Sequence, residues 1–206
     1  MDTTWQGHAK VEEYLERIGR LPARITGEAE LLDALPAEVH RVLDLGCGDG
    51  RLAALVMDAH PEVEAAVALD RSPAMLGAAH TRFAGDPRVT VAAHDMADPL
   101  VVDESFDAVV SGFAIHHLAH DRKRTLFDEI HAALRPGGVF ANLEVVECAT
   151  PALQAEFFAR IGRAEGDPED VCAPVEPQLE WMRAAGFTDV DCQWRWRGFA
   201  LLVGRK

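Results

Sequence analysis

Apolar and polar positions change period several times along the chain, and those changes divide it into elements. Near the start, Val11, Leu15 and Ile18 recur at steps of four and three, with Arg17, Arg20 and Arg24 interleaved with Glu12, Glu13 and Glu16. That is the period of a helix. A second helix is expected over 28–35, stopped by Pro36. Arg41-Val42-Leu43-Asp44-Leu45 is then a short apolar run leading into glycines, which reads as a strand. A helix follows at about 50–59 and ends before His60-Pro61; Val63–Leu69 is a second strand, closed by Asp70. Ser72-Pro73 puts Ser at the N-cap and Pro at the first position of a helix reaching about Phe83. Val89–Ala93 is a third strand, and Phe106–Ser111 a fourth, buried on both faces. A helix from Asp121 to about Leu134 runs into a hard turn at Pro136-Gly137-Gly138, and Val139–Val146 is a fifth strand.

Strand and helix alternate at the lengths of parallel crossover units, so the expected class is an open α/β sheet with helices on both faces. The tail differs. Pro151–Glu165 is helical in pattern, and Gly166–Pro177 is a proline-rich, acidic loop, long for a compact domain. It reads either as a lid or as a tolerated excursion. A helix at 176–185 should stop at Gly186. Val190, Cys192, Trp194 and Trp196 then alternate with polar neighbours, a half-buried strand that Gly198 turns back into Phe199–Val203 as a hairpin.

Length adds one constraint: 206 residues suit a single domain, 1–206, with an N-terminal helical cap over 1–38 and the lid loop at 166–177. Charge adds another. Twenty Lys and Arg against 34 Asp and Glu leave −14, which disfavours a nucleic-acid face and favours a small neutral or cationic ligand. The longest stretch free of Asp, Glu, Lys and Arg is 108–120, too short and too polar for a membrane span. Cys47, Cys148, Cys172 and Cys192 form no C-x-x-C pair and no leader pattern precedes the helices, so a reduced, cytoplasmic protein is expected. Oligomeric state is not legible.

In an open α/β sheet, ligands sit beyond the carboxyl ends of the strands, where the strand order reverses. The residues expected there are Asp44 to Gly50, Asp70, His94-Asp95-Met96 and Ser111-Gly112. The loop after strand 1 is G-x-G-x-G (Gly46, Gly48, Gly50); a dinucleotide fingerprint would carry a third glycine where this chain has Arg51. Asp49 also puts negative charge near a helix start that a pyrophosphate would want clear. Glycines between two carboxylates suit a ligand carrying positive charge. Asp70 at the tip of strand 2 is placed to take ribose hydroxyls, and Asp95 with Met96 to meet an adenine, with Met75 as apolar cover.

Taken together, Val42-Leu43-Asp44-Leu45-Gly46-Cys47-Gly48-Asp49-Gly50, Ala68-Leu69-Asp70-Arg71-Ser72-Pro73-Ala74-Met75-Leu76, His94-Asp95-Met96, Phe106-Asp107-Ala108-Val109-Val110 and Leu134-Arg135-Pro136-Gly137-Gly138 resemble the motifs of class I S-adenosylmethionine-dependent methyltransferases. The resemblance covers roughly 40–206. It implies a Rossmann-like sheet of seven mostly parallel strands, the last antiparallel, and S-adenosyl-L-methionine as cofactor, with S-adenosyl-L-homocysteine as product. The cofactor-binding residues it implies are Asp44, Gly46, Cys47, Gly48, Gly50, Asp70, Arg71, Met75, Asp95, Met96 and Ser111. Ala185-Gly186-Phe187 and Phe199–Arg205 are also similar to the end of carboxy-S-adenosylmethionine synthases.

Methyl transfer from a sulfonium needs alignment and exclusion of water more than acid–base chemistry, although an acceptor O–H or N–H must lose its proton. His116 and His117, just after strand 4, are the candidate bases. With His120 they precede the helix expected from Asp121, so no helical metal-ligand pair forms and no metal is expected. Trp5, Tyr14, Arg17 and Arg20, and Trp181, Trp194 and Trp196, are either acceptor-pocket or core and surface residues. Glu144 and Glu147 end strand 5 beside the expected acceptor position. The leading function is methyl transfer to a small molecule. Alternatives are carboxy-S-adenosylmethionine synthesis, a tRNA-modification-related enzyme, and a non-catalytic cofactor-binding module.

Overall fold

A computed structural model of the protein describes residues 21–102, 105–163 and 166–206. The helix expected around 11–18, with Trp5, Tyr14, Arg17 and Arg20, lies outside the described residues. The elements in order are α1 (Pro22–Ala34), β1 (Arg41–Leu45), α2 (Arg51–Ala59), β2 (Ala65–Asp70), α3 (Pro73–Arg82), β3 (Val89–Ala93), β4 (Phe106–Gly112), a 3-10 turn (Ile115–His117), α4 (His120–Ala133), β5 (Leu134–Val145), α5 (Pro151–Arg160), α6 (Val175–Ala184), β6 (Thr188–Trp196) and β7 (Phe199–Arg205).

The strands form one sheet in the order β3-β2-β1-β4-β5-β7-β6. β1 pairs in parallel with both β2 and β4, so the chain steps outward from β1 to β3 and then returns to the other side of β1. β7 runs antiparallel between β5 and β6, as the hairpin pattern of the tail requires. Alternate residues of each strand feed two cores. Val42, Val110, Ala141 and Leu143 face α1, α2 and α5, whereas Leu43, Val109, Phe140 and Leu202 face α4 and α6. Helices therefore cover both faces, and the membership of the sheet is as the motif order implies.

Three boundaries depart from the pattern reading, each for a local reason. The helix expected over 28–35 already starts at Pro22, where the ring fixes a helical φ and the missing N–H is one of the donors a first turn leaves unpaired. The helix expected to reach Glu165 stops at Arg160, because Gly162 takes φ +73 and makes a left-handed cap. Arg163 N–H donates to Phe158 O, and Gly162 N–H donates to Ala159 O, the paired bonds that end a helix at such a glycine. The expected turn at Pro136-Gly137-Gly138 lies inside β5. Leu134 pairs with Phe106 and Val139 with Ala108, so Arg135–Gly138 bulges outward without ending the strand.

One buried carboxylate holds the start of the central strand. Asp107, 1% exposed on β4, accepts from the N–H groups of His40 (2.5 Å) and Arg41 (2.8 Å) and pairs with Arg135 at 2.5 Å across the bulge. Asp107→Ala leaves two backbone donors and a guanidinium without their acceptor. The expected loss is ~3 kcal/mol in urea unfolding, and a loss under ~1 kcal/mol would show that water replaces the carboxylate without cost.

Candidate active site

At the carboxyl end of β1 the chain enters the Gly46–Gly50 loop with φ +70 at Gly46, +56 at Gly48 and +77 at Gly50. Gly46 has a second reason to be glycine. A Cβ there would stand 2.2 Å from Ala114 Cβ, so the loop can lie against the segment after β4 only without a side chain. The N–H groups of Gly46 and Cys47 both donate to Leu69 O, at 2.8 and 2.9 Å, tying the loop to the end of β2. Gly48 N–H donates to Asp70 Oδ2 at 2.9 Å, and Ser72 N–H to Asp70 Oδ1 at 2.8 Å. Each oxygen of Asp70 is thereby oriented by one backbone donor, and each retains a further lone pair for a ligand. Burial raises the Asp70 carboxyl, an effect these N–H bonds oppose.

The ends of β1, β2, β3 and β4 surround a cavity of about 340 Å³, within the usual size range for one small-molecule ligand. Of the residues expected at the site, Gly46, Cys47, Gly48, Asp70, Arg71, Met75, Asp95, Met96 and His117 line it. Gly50 starts α2 and lies outside the lining. Ser111 does too: it is fully buried and its Oγ donates to Leu45 O at 2.7 Å, so it bonds β4 to β1. Asp44 sits beneath the loop on a small adjoining pocket, 1% exposed, with Oδ2 accepting from Ala53 N–H at 3.0 Å. Its Oδ1 is buried without a hydrogen-bond partner.

The two histidines separate. His116 is 3% exposed and outside the cavity lining. Its Nδ1 lies 2.6 Å from Glu144 and its Nε2 3.3 Å from Asp170. Burial alone would lower its pKa, but the two carboxylates raise it to about 9, so His116 is a cation at neutral pH. His117 is lowered, by burial first and then by the charge of His116. A neutral imidazole therefore stands in the cavity wall beside a buried imidazolium, ring centroids 4.0 Å apart.

The fold matches the O-methyltransferase family protein of Burkholderia thailandensis with a TM-score of 0.76, at 20% identity over 97% of this chain and 59% of that one. A family model described as a methyltransferase domain matches residues 42–138. A demethylmenaquinone methyltransferase of Clavibacter sepedonicus is 31% identical over 173 residues, covering 76% of this chain and 69% of the relative. The chain belongs to the class I S-adenosylmethionine-dependent methyltransferases. An uncharacterized methyltransferase of Mycobacterium tuberculosis is 40% identical over 125 residues, 60% of this chain; the match spans only 59% of that relative's length.

The cofactor of this methyltransferase class, S-adenosylmethionine, carries an ammonium and a sulfonium, and the donor set suits it. The oriented carboxylate of Asp70 lines the cavity, and the orphan oxygen of Asp44 lies beneath its glycine loop, on the small adjoining pocket. Asp49, counted in the sequence as further negative charge, lines the cavity and is paired with Arg82.

Several wall residues carry no motif signal. Arg24 reaches the cavity from α1, its Nε donating to Glu28 Oε1 at 2.7 Å and its guanidinium over the Phe113 ring. Glu28 in turn holds Arg51, the residue that broke the dinucleotide fingerprint, at 2.7 Å. Phe113 leaves β4 with φ +56, a strained value for an aromatic, held by its N–H to Leu143 O at 2.7 Å. Arg122 donates to Met96 O and Asp98 O while pairing with Glu129, and so fixes the segment that carries Asp95 and Met96. The tryptophans are elsewhere. Trp194 and Trp196 pack on the core beneath α1 and α5, and Trp181 stacks with His120 and Arg124. Glu147 is exposed, whereas Glu144 is fully buried against His116.

Asp44 sets a pH dependence. Burial first, then the charges of Asp70 and Asp49, push its carboxyl up to about 7. A folded-state pKa above the unfolded value means that stability falls as pH rises from about 4 to about 7. Asp44→Asn keeps an acceptor for Ala53 N–H and removes the charge. The ligand-free variant should be more stable than wild type by ~2–4 kcal/mol at pH 8 and about equal at pH 4. Equal differences in urea unfolding at the two pH values would contradict a buried, titrating Asp44.

Proposed function

We propose that the protein transfers a methyl group from S-adenosylmethionine to a small-molecule acceptor whose O–H or N–H proton passes to His117. The observation that carries this reading is the pairing, in one cavity, of a carboxylate held by two backbone N–H groups (Asp70) with a neutral imidazole (His117). Asp70 takes the ribose hydroxyls with its outward lone pairs. Asp95, with Met75 and Met96, holds the adenine. Asp44 and the Gly46–Gly50 loop face the ammonium end, and Arg24 faces the carboxylate of the same amino-acid group. Arg71, 3.7 Å from Asp95, closes the rim.

When bound, the cofactor supplies an activated methyl on sulfur. The residues of the chain do the remaining work. The cavity walls fix the angle at which an acceptor lone pair approaches that carbon, and α1 with the loop 166–174 covers the site against bulk water. With the cofactor bound, His117 would take the proton that the acceptor gives up, and the cofactor would leave as the neutral thioether. The chain reads as one domain, with α1 part of its cap. A small-molecule acceptor is favoured by the net charge of −14 and by the small molecule in the name of the Clavibacter relative. The tail segments similar to carboxy-S-adenosylmethionine synthases, Ala185-Gly186-Phe187 and Phe199–Arg205, put no residue in the cavity lining, so they lend that alternative no chemistry.

The test is release of S-adenosylhomocysteine on a panel of phenols, quinols, carboxylic acids and amines, with His117→Gln alongside. The expected result is a product one methyl heavier in one class, with kcat lowered about 10²-fold in the variant and KM little changed. A loss below tenfold would remove His117 as the base. Cofactor binding without transfer to any class would overturn methyl transfer to small molecules.

A further inference from the structure

Behind His117 lies a cluster that neither the motifs nor the methyltransferase reading uses. The loop 166–174 crosses over the turn after β4 and is seated there by a backbone hydrogen bond and a buried lysine. Val171 N–H donates to His116 O at 2.9 Å. The buried ammonium of Lys123 donates to the carbonyls of Val171 (2.6 Å), His116 (3.3 Å) and Leu118. Upon that seat, His117 Nδ1 meets Glu169 O at 3.4 Å and Asp170 Oδ1 at 3.5 Å. The carbonyl can only accept, so the hydrogen bond to it puts the proton on Nδ1, and the Asp170 carboxylate, in ion-pair contact without a hydrogen bond, favours the same tautomer by its charge. The lone pair of a neutral His117 then belongs to Nε2, the nitrogen turned away from the loop.

We propose, resting on the reading of His117 as the base, that Asp170 is a positioning residue that fixes His117 in the Nδ1–H tautomer, with the buried Glu144–His116 pair holding Asp170 in place. The charged groups around the cluster among the described residues are consistent with that role. The Asp170 side chain is 5% exposed and faces His116, His117 and, at 3.7 Å, Arg163, which also pairs with Asp167. Glu144 on β5 takes the opposite nitrogen of His116. Arg71 reaches Glu169 at 3.8 Å, tying the loop to the cofactor side of the cavity. As a proton moves onto His117 Nε2, the new imidazolium would be met by the Asp170 carboxylate at its other nitrogen, the arrangement that stabilises a transient histidine cation. The loop is in this sense part of the catalytic site, more than a cover over it.

Long-range ¹H–¹⁵N spectra of the histidine side chains test this on the full chain, stripped of metal by a chelator and assigned with His116→Gln and His117→Gln. Wild type should show His116 charged and His117 as a single neutral Nδ1–H tautomer near pH 7. Asp170→Asn should lose that single tautomer and show a mixture, while Glu144→Gln should discharge His116 and, by loosening Asp170, show a smaller share of the second tautomer. A wild-type His117 found as Nε2–H or as a cation would overturn the proposal without any variant. So would an Asp170→Asn spectrum of His117 identical to wild type. His116, His117 and Asp170 also offer ligand atoms within 4.8 Å of one another. A tautomer that appears only when zinc is added would make them a metal site and overturn the proposal as well. S-adenosylhomocysteine affinity, measured on the same samples, should change less than threefold in Asp170→Asn. Its absence in wild type would sink the cofactor reading, separately from the tautomer result.

Discussion

Three backbone N–H groups of the glycine loop bind the end of β2: those of Gly46 and Cys47 to the Leu69 carbonyl, and that of Gly48 to the Asp70 carboxylate. The cavity depends on this seam. It opens where the strand order reverses, and without the tie the loop after β1 would have no reason to bend away from the helix it starts. The positive φ values of the loop are what aim those donors sideways, and the missing side chain of Gly46 is what lets Ala114 close the opposite wall. Gly48 N–H holds one oxygen of Asp70 and Ser72 N–H the other, so the carboxylate is oriented before any ligand arrives.

A second tie brings α1 into the site. Glu28 is buried between Arg24 and Arg51, and although burial pulls its pKa upward, the two guanidinium groups hold it below the ordinary carboxylate value. It remains ionised and links the cap helix to the first residue of α2. Arg24 can then project into the cavity with its guanidinium over Phe113, whose strained backbone is braced by Leu143 and by Phe199 at 4.7 Å. Buried ion pairs of this kind add little to stability. Their effect here is to specify where one cation points.

Much of this was legible in the sequence because it is local. Alternating strands and helices, the glycine spacing, and an acid at each strand tip are written within a few residues of one another, and they gave the sheet, its class and most of the cavity lining. What was illegible is long-range. His116 and His117 are neighbours with opposite fates, decided by Glu144, 28 residues on, and by Asp170 in a loop. No spacing rule joins them. Ser111 stood at a strand tip, yet its hydroxyl is spent on the Leu45 carbonyl. Arg24 and Arg122 carry no motif signal, and only packing shows that one lines the cavity and the other clamps the Met96 segment. The tryptophans alternated as strand residues should, which fitted a pocket wall and a core equally well until α1 was found on top of them.

The central claim is that the cavity at the reversal of strand order, organised by Asp70, is where S-adenosylmethionine binds. Calorimetric titration of S-adenosylhomocysteine into wild type and Asp70→Ala, with NADH as a control ligand, tests it most directly. The account predicts one site per chain, at least a tenfold loss of affinity in the variant, and no heat from NADH; two charge-assisted hydrogen bonds of ~1–2 kcal/mol each would account for that loss. Unchanged binding in Asp70→Ala, or binding of NADH in place of S-adenosylhomocysteine, would contradict it.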